Sequence, residues 1–165
     1  MQSSHSTTIA SAVLVPIVTQ GSNFNLLLMQ RSQNVKHHKN EVCFPGGVLS
    51  NTDTDLTATA LRETFEETGI PNHHIQVIAT LPNCYTPTGY CITPIVGIIS
   101  TPLNYVPCPR EVQCVFEIPL QYLLDNVTEH NYITYKKHII WGATAKIIST
   151  FKDYWLMSNN FPASL

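Results

Sequence analysis

Charged side chains are scarce in this chain. Only 12% of its 165 residues are Asp, Glu, Lys or Arg, against 44% apolar residues, and nine cations with eleven anions leave a formal net charge of -2. That balance excludes a disordered segment, a charge-laced coiled coil and a basic clamp for nucleic acid. Long apolar runs are missing too: the longest near the start, Ile9 to Val18, contains Ser11 and Pro16 and is too short to cross a bilayer. No Lys or Arg precedes Arg31, so the basic end of a secretory signal and an Arg-rich transit peptide are both absent. The closing Ala-Ser-Leu lacks the Lys of a Ser-Lys-Leu peroxisomal address. A cytoplasmic address is expected, with neither membrane nor nucleic acid as partner. The five cysteines, at 43, 84, 91, 108 and 114, are odd in number and contain no Cys-x-x-Cys pair, which fits reduced thiols better than a disulfide scaffold or structural zinc site. Length and the lack of any composition break favour a single domain over 1–165, as a monomer or homodimer.

What is present reads as alternating strands and helices. Ile9 to Val18 and Phe24 to Met29 are strand candidates, separated by a Gly-Ser-Asn turn. A polar loop from Gln30 to Glu41 leads into Cys43-Phe44-Pro45-Gly46-Gly47, where Pro and paired glycines predict a tight turn. Leu56 to Thr68 is predicted helical: Asp53 or Asp55 can cap it, Ala58, Ala60, Leu61 and Phe65 favour or pack it, and Gly69 stops it. Strands are expected at Ile75 to Leu81, Cys91 to Ile99, Val112 to Ile118 and Ile133 to Trp141, with proline-rich loops between them. In the last segment, Ala143, Ile147, Phe151 and Trp155 recur at helical spacing and mark a helix that supports the core. The class is α/β, a mixed sheet covered by helices on both sides.

The few charges are unevenly placed. Asp53, Asp55, Glu63, Glu66 and Glu67 put five of the eleven carboxylates into 15 residues. On a helix, Glu63, Glu66 and Glu67 crowd one side of a single turn, where like charges repel. The arrangement is either a solvated acidic face or a platform for a hard divalent cation that keeps waters for a phosphate substrate. Gly46-Gly47 lies one short loop upstream, where the backbone can approach a metal or phosphate without Cβ interference, and this favours the metal reading.

Gly47, Arg62-Glu63, Glu66-Glu67, Gly69 and Ile70 together resemble the box of the Nudix hydrolase family. The loop from Gly47 is one residue longer than the general pattern, Asp53 or Asp55 stands where Glu is expected, and Thr64 replaces an apolar residue. The resemblance implies a Nudix-type α/β/α sandwich whose helix carries the acidic cluster. It also implies that Glu63, Glu66 and Glu67 hold Mg²⁺ or Mn²⁺ with the Gly47 carbonyl nearby, and that Arg62 anchors helix and loop through acidic partners. Glu63 is the first choice for the group that takes the proton of the attacking water, with Glu66 and Glu111 as alternatives.

The flanks narrow the substrate. Arg31-Ser32, Lys36-His37 and Val42-Cys43-Phe44-Pro45-Gly46-Gly47 resemble the signature loop of the coenzyme A diphosphatase branch. Further likeness runs through Gly89-Tyr90, Thr93 to Gly97, Glu111-Val112, Ile118 to Leu120 and Ile140 to Ala145. This implies hydrolysis of coenzyme A, and of acyl derivatives, to adenosine 3′,5′-bisphosphate and 4′-phosphopantetheine. Arg31, Lys36 and His37 would then contact the substrate, offering hydrogen bonds and charge to the adenosine 3′-phosphate. Two alternatives stand beside it: hydrolysis of another nucleoside diphosphate derivative such as an ADP-sugar, NADH or a nucleotide, and a noncatalytic nucleotide-binding module.

Overall fold

The computed structural model describes residues 7–100 and 104–158. Its first two strands, β1 (Ile9–Gln20) and β2 (Asn23–Arg31), form a hairpin closed by Gly21 at φ +60. Two short strands follow, β3 (Val42–Cys43) and β4 (Gly46–Val48). β3 pairs with β2 and β4 pairs with β1, so the segment from 42 to 48 is wedged where β1 and β2 diverge. β3 thus runs in the same direction as β1 and β4 against it, so the chain reverses at Phe44-Pro45 where the sequence predicts a tight turn, and the two glycines lie just beyond the bend in β4. The glycines serve close approach: a Cβ on Gly46 would collide with the Ala12 carbonyl and with Val13 of β1.

Helix α1 (Leu56–Thr68) has the bounds its sequence predicts. Asp55 is its cap, accepting the Ala58 N–H at 2.7 Å, and Gly69 ends it in the left-handed conformation at φ +76. A Cβ on Gly69 would also press on Val106, because the loop at 105–108 bonds back to the end of α1 through Val106 N–H to Thr68 O and Cys108 N–H to Glu67 O. The remaining elements are β5 (Ile75–Thr80), β6 (Cys84–Tyr85), β7 (Tyr90–Ser100), β8 (Val112–Pro119), α2 (Leu120–Asn126), β9 (Tyr132–Tyr135), β10 (His138–Trp141) and α3 (Gly142–Met157).

Strands β1 to β8 make one mixed sheet, with β1 parallel to β7 and the other pairings antiparallel. Side chains alternate across β1, and both sets are buried. Val15 and Ile17 meet Leu123, Ile147, Ile148 and Phe151 of α2 and α3, whereas Ala12 and Leu14 meet Ala60 of α1. Helices thus cover both faces, giving the α/β/α sandwich. Phe151, wholly buried, is worth roughly 1.5–3 kcal/mol by the area it removes from water. Trp155 meets Phe24 edge-on at 5.5 Å, so α3 supports the core as its spacing predicts.

Two expectations change. The single last strand is a hairpin, β9 and β10, reversed at Lys136, which adopts φ +52 without a glycine to announce it. It forms its own two-stranded sheet. Helix α2 is additional: Leu120, Leu123 and Leu124 bury one side of seven residues that follow β8 directly, with Pro119, the last residue of the strand, as N-cap. Among the described residues no helix is long and apolar enough to cross a membrane.

Candidate active site

Asp53 and Arg62 fasten the loop before α1 to the helix. The Arg62 Nε donates to Asp53 Oδ1 at 2.8 Å and Nη2 to Oδ2 at 2.9 Å. Asp53 also accepts from the Ser50 N–H and the Thr59 hydroxyl, each at 2.9 Å, and its side chain is 4% exposed. These donors, the guanidinium first, hold the Asp53 carboxyl well below the usual range. The cap and the anchor are therefore different residues, Asp55 and Asp53. Thr64, which departs from the family pattern, is fully buried and gives its hydroxyl to the Ala60 carbonyl at 2.7 Å, so the polar group carries no unmet bond.

The third nitrogen of Arg62, Nη1, reaches Glu63 at 3.0 Å and Glu66 at 3.3 Å. Glu67, 3% exposed, accepts the Gly46 N–H at 2.9 Å. Burial pushes its carboxyl up to about 8, against the pull of that bond; Glu63, Arg31 and Glu111 act on it over longer distances. Burial likewise raises Glu63, with Arg62 opposing and Glu66 and Glu111 adding to the rise. Glu63 lies so close to Gly47 that a Cβ there would overlap its carboxylate. The structure thus gathers Gly47, Arg62, Glu63, Glu66 and Glu67 into one place, with Glu111 near enough to be felt. The Glu111 backbone is fixed from two sides, by Ser32 N–H to its carbonyl and its own N–H to Cys108 O.

Arg31 belongs to this place as well. Its guanidinium lies against the Cys43 thiol and lowers the pKa of both Cys43 and Glu67, while its buried Nε has no hydrogen-bond partner. Burial, helped by Glu67, still raises the Cys43 thiol to about 12, so Cys43 is no nucleophile. Lys36 and His37 stand exposed on the loop between β2 and β3. In that loop His38 bonds Glu41 at 3.0 Å, and His38 and Asn40 both take positive φ.

Among the described residues no three His, Cys, Asp or Glu side chains form a closed metal cage. Arg62 draws Glu63 and Glu66 to itself, and Glu67 is committed to Gly46. The donor set nonetheless fits a hard divalent cation: three carboxylates on one side of a helix turn beside a glycine backbone, with Arg62 already shared with Asp53. Such a site can bind a diphosphate through the cation and activate water against phosphorus.

The NUDIX domain model matches residues 8–130. The chain is 40% identical over 151 residues to the uncharacterized Nudix hydrolase NudL of Escherichia fergusonii, covering 84% of this chain and 78% of that protein. It is 41% identical over the same shares to NudL of Klebsiella pneumoniae. In three dimensions it is similar to RenU, a Nudix hydrolase of M. smegmatis, with a TM-score of 0.70, 17% identity, and 93% and 89% of the two chains covered. A C. elegans Ap4A hydrolase gives a TM-score of 0.66 at 16% identity, covering 89% and 96%. The matched box, the carboxylate geometry and the 40% relatives agree: the chain belongs to the Nudix family and is a hydrolase of nucleoside-diphosphate-linked substrates.

Proposed function

We propose that the chain cleaves the diphosphate bond of coenzyme A in the cytoplasm, releasing adenosine 3′,5′-bisphosphate and 4′-phosphopantetheine. The observation that carries the hydrolytic part is the gathering of Glu63, Glu66 and Glu67 against Gly47 under the Asp53–Arg62 anchor. The choice of coenzyme A is supported by the flanking pattern from Arg31-Ser32 to Gly46-Gly47.

Glu63, Glu66 and Glu67, with the Gly47 carbonyl, would hold Mg²⁺ or Mn²⁺. When bound, the ion neutralises the diphosphate and lowers the pKa of the attacking water. Glu63, partly exposed beside Gly47, accepts the proton of that water. Arg62 keeps the turn in place through Asp53 and touches no substrate. Arg31, whose charge acts on Glu67, would meet the diphosphate rather than the 3′-phosphate, with its unpartnered Nε as a donor. Lys36 and His37, on the exposed loop, meet the 3′-phosphate.

A panel of coenzyme A, its 3′-dephospho form, an ADP-sugar and NADH, with Mg²⁺ or Mn²⁺ and products identified by mass, tests this reading. Coenzyme A should be cleaved with the highest kcat/KM. Equal or faster cleavage of the dephospho form would remove the 3′-phosphate contact and leave the broader reading, a diphosphatase acting on other nucleoside diphosphate derivatives.

A further inference from the structure

A groove of about 410 Å³ lies between residues 39–41, which lead into β3, and the strand β10. It is on the opposite face of the sheet from the carboxylates. Side chains alternate along β3: Cys43 feels Glu67, whereas Val42 packs with the α2–α3 side and lines the groove.

Three kinds of group meet there. Lys39 and Lys137 contribute two exposed cations, joined from positions almost 100 residues apart. Trp141 and Ile139 present apolar surface, with Trp141 52% exposed and Tyr132 directly across from it in the hairpin. Gln30 and Glu41 supply polar edges, and Glu41 is hydrogen-bonded to His38. At the wall, His138 is 8% exposed, stacked on Phe116 at 3.9 Å, and its buried Nδ1 has no partner. A lone indole on a surface is ordinary and so is a pair of lysines. Joined in one concavity of small-molecule size, they complement a flat ring that carries a phosphate.

We propose that this groove binds a nucleoside monophosphate, its base stacked on Trp141 and its phosphate between Lys39 and Lys137, at a site separate from the carboxylates of α1. The site stands whether or not coenzyme A is the substrate, because it rests on other residues.

The test is calorimetric titration of adenosine 5′-monophosphate into the full chain in EDTA, which removes any contribution of a divalent cation at α1. Saturable binding is expected, weakened roughly tenfold or more by Trp141→Ala and by Lys39→Ala with Lys137→Ala. Glu66→Gln should bind as the unaltered chain does, and adenosine or inorganic phosphate alone should bind more weakly. Circular dichroism checks the variants' folding; the lysine pair, being exposed, decides if Trp141→Ala fails to fold. Absence of saturable binding would overturn the proposal. So would unchanged affinity in the folded variants, loss of binding in Glu66→Gln, or phosphate alone binding as tightly as the nucleotide.

Discussion

The acidic turn of α1 and the loop between β2 and β3 handle charge in opposite ways. In the turn every carboxylate has an assigned partner: Asp53 meets four donors, Glu63 and Glu66 share Arg62, and Glu67 holds the Gly46 N–H. In the loop Lys36, His37 and Lys39 are exposed, and His38 and Asn40 sit at positive φ. Preorganised groups suit the chemistry shared by every diphosphate, because positioning done at folding does not have to be done again at binding. Exposed cations on a loop suit recognition of the part by which one substrate differs from another. The two regions meet at Arg31, the last residue of β2, whose N–H bonds the Glu41 carbonyl while its guanidinium approaches Glu67.

The contrast can be broken first on the acidic side. Glu63→Gln keeps the volume and removes the charge and the proton acceptor; turnover should fall on the order of a hundredfold or more while the fold by circular dichroism is unchanged. A loss shared by every substrate in the panel marks the common machinery, and a loss confined to one would place Glu63 in recognition.

Next comes the anchor. Asp53→Asn should lower kcat roughly 10–100-fold by loosening the turn, as loss of partners that orient metal ligands does. It should also lower stability in a pH-dependent way. Because Asp53 is held below its ordinary carboxylate range in the folded chain, its contribution is complete above the unfolded value of about 4 and fades as pH falls toward the folded value. Thermal melts should therefore separate variant and parent most at neutral pH and converge below about pH 4. A constant gap across that range would contradict the ion-pair account.

Arg31 and Lys36 divide the recognition side. Arg31→Gln should reduce kcat/KM for coenzyme A and its 3′-dephospho form alike, and Lys36→Gln should reduce it several-fold for coenzyme A alone. The reverse pattern would move Arg31 to the 3′-phosphate. The smallest effect belongs to the cap: Asp55→Ala should cost about 1 kcal/mol, a few degrees in Tm, with turnover nearly intact.

Local rules make α1 readable to the residue. A capping Asp, apolar positions at helical spacing and a terminal Gly all act within one segment. The box on that helix was equally legible, since the resemblance is carried by the helix itself. The turn before Gly46 and Gly47 was visible, but the reason both are glycine lies in Ala12, Val13 and Glu63, which only the fold brings near. The roles of Asp53 and Asp55 were inseparable in sequence because both precede the helix by a few residues, and the rotation of Arg62 toward one of them decides it. Helix α2 was hidden by its length and the hairpin of β9 and β10 by a Lys in a glycine-like conformation. Nothing in the sequence could join Lys39 to Lys137, because that proximity comes from packing β10 beside β3.

The central claim is that one acidic turn uses a divalent cation to hydrolyse a diphosphate, and initial rates against Mg²⁺ concentration for the parent chain and Glu66→Gln test it most directly. Glu66 is the most exposed of the three carboxylates, at 53% of its side chain, so its loss leaves the fold least disturbed. The account predicts a saturable Mg²⁺ dependence for the parent, with coenzyme A converted to adenosine 3′,5′-bisphosphate and 4′-phosphopantetheine, and a large loss at limiting Mg²⁺ in the variant. Equal rates for the two at limiting Mg²⁺, or no cleavage of any diphosphate by the parent at saturating Mg²⁺ or Mn²⁺, would contradict it.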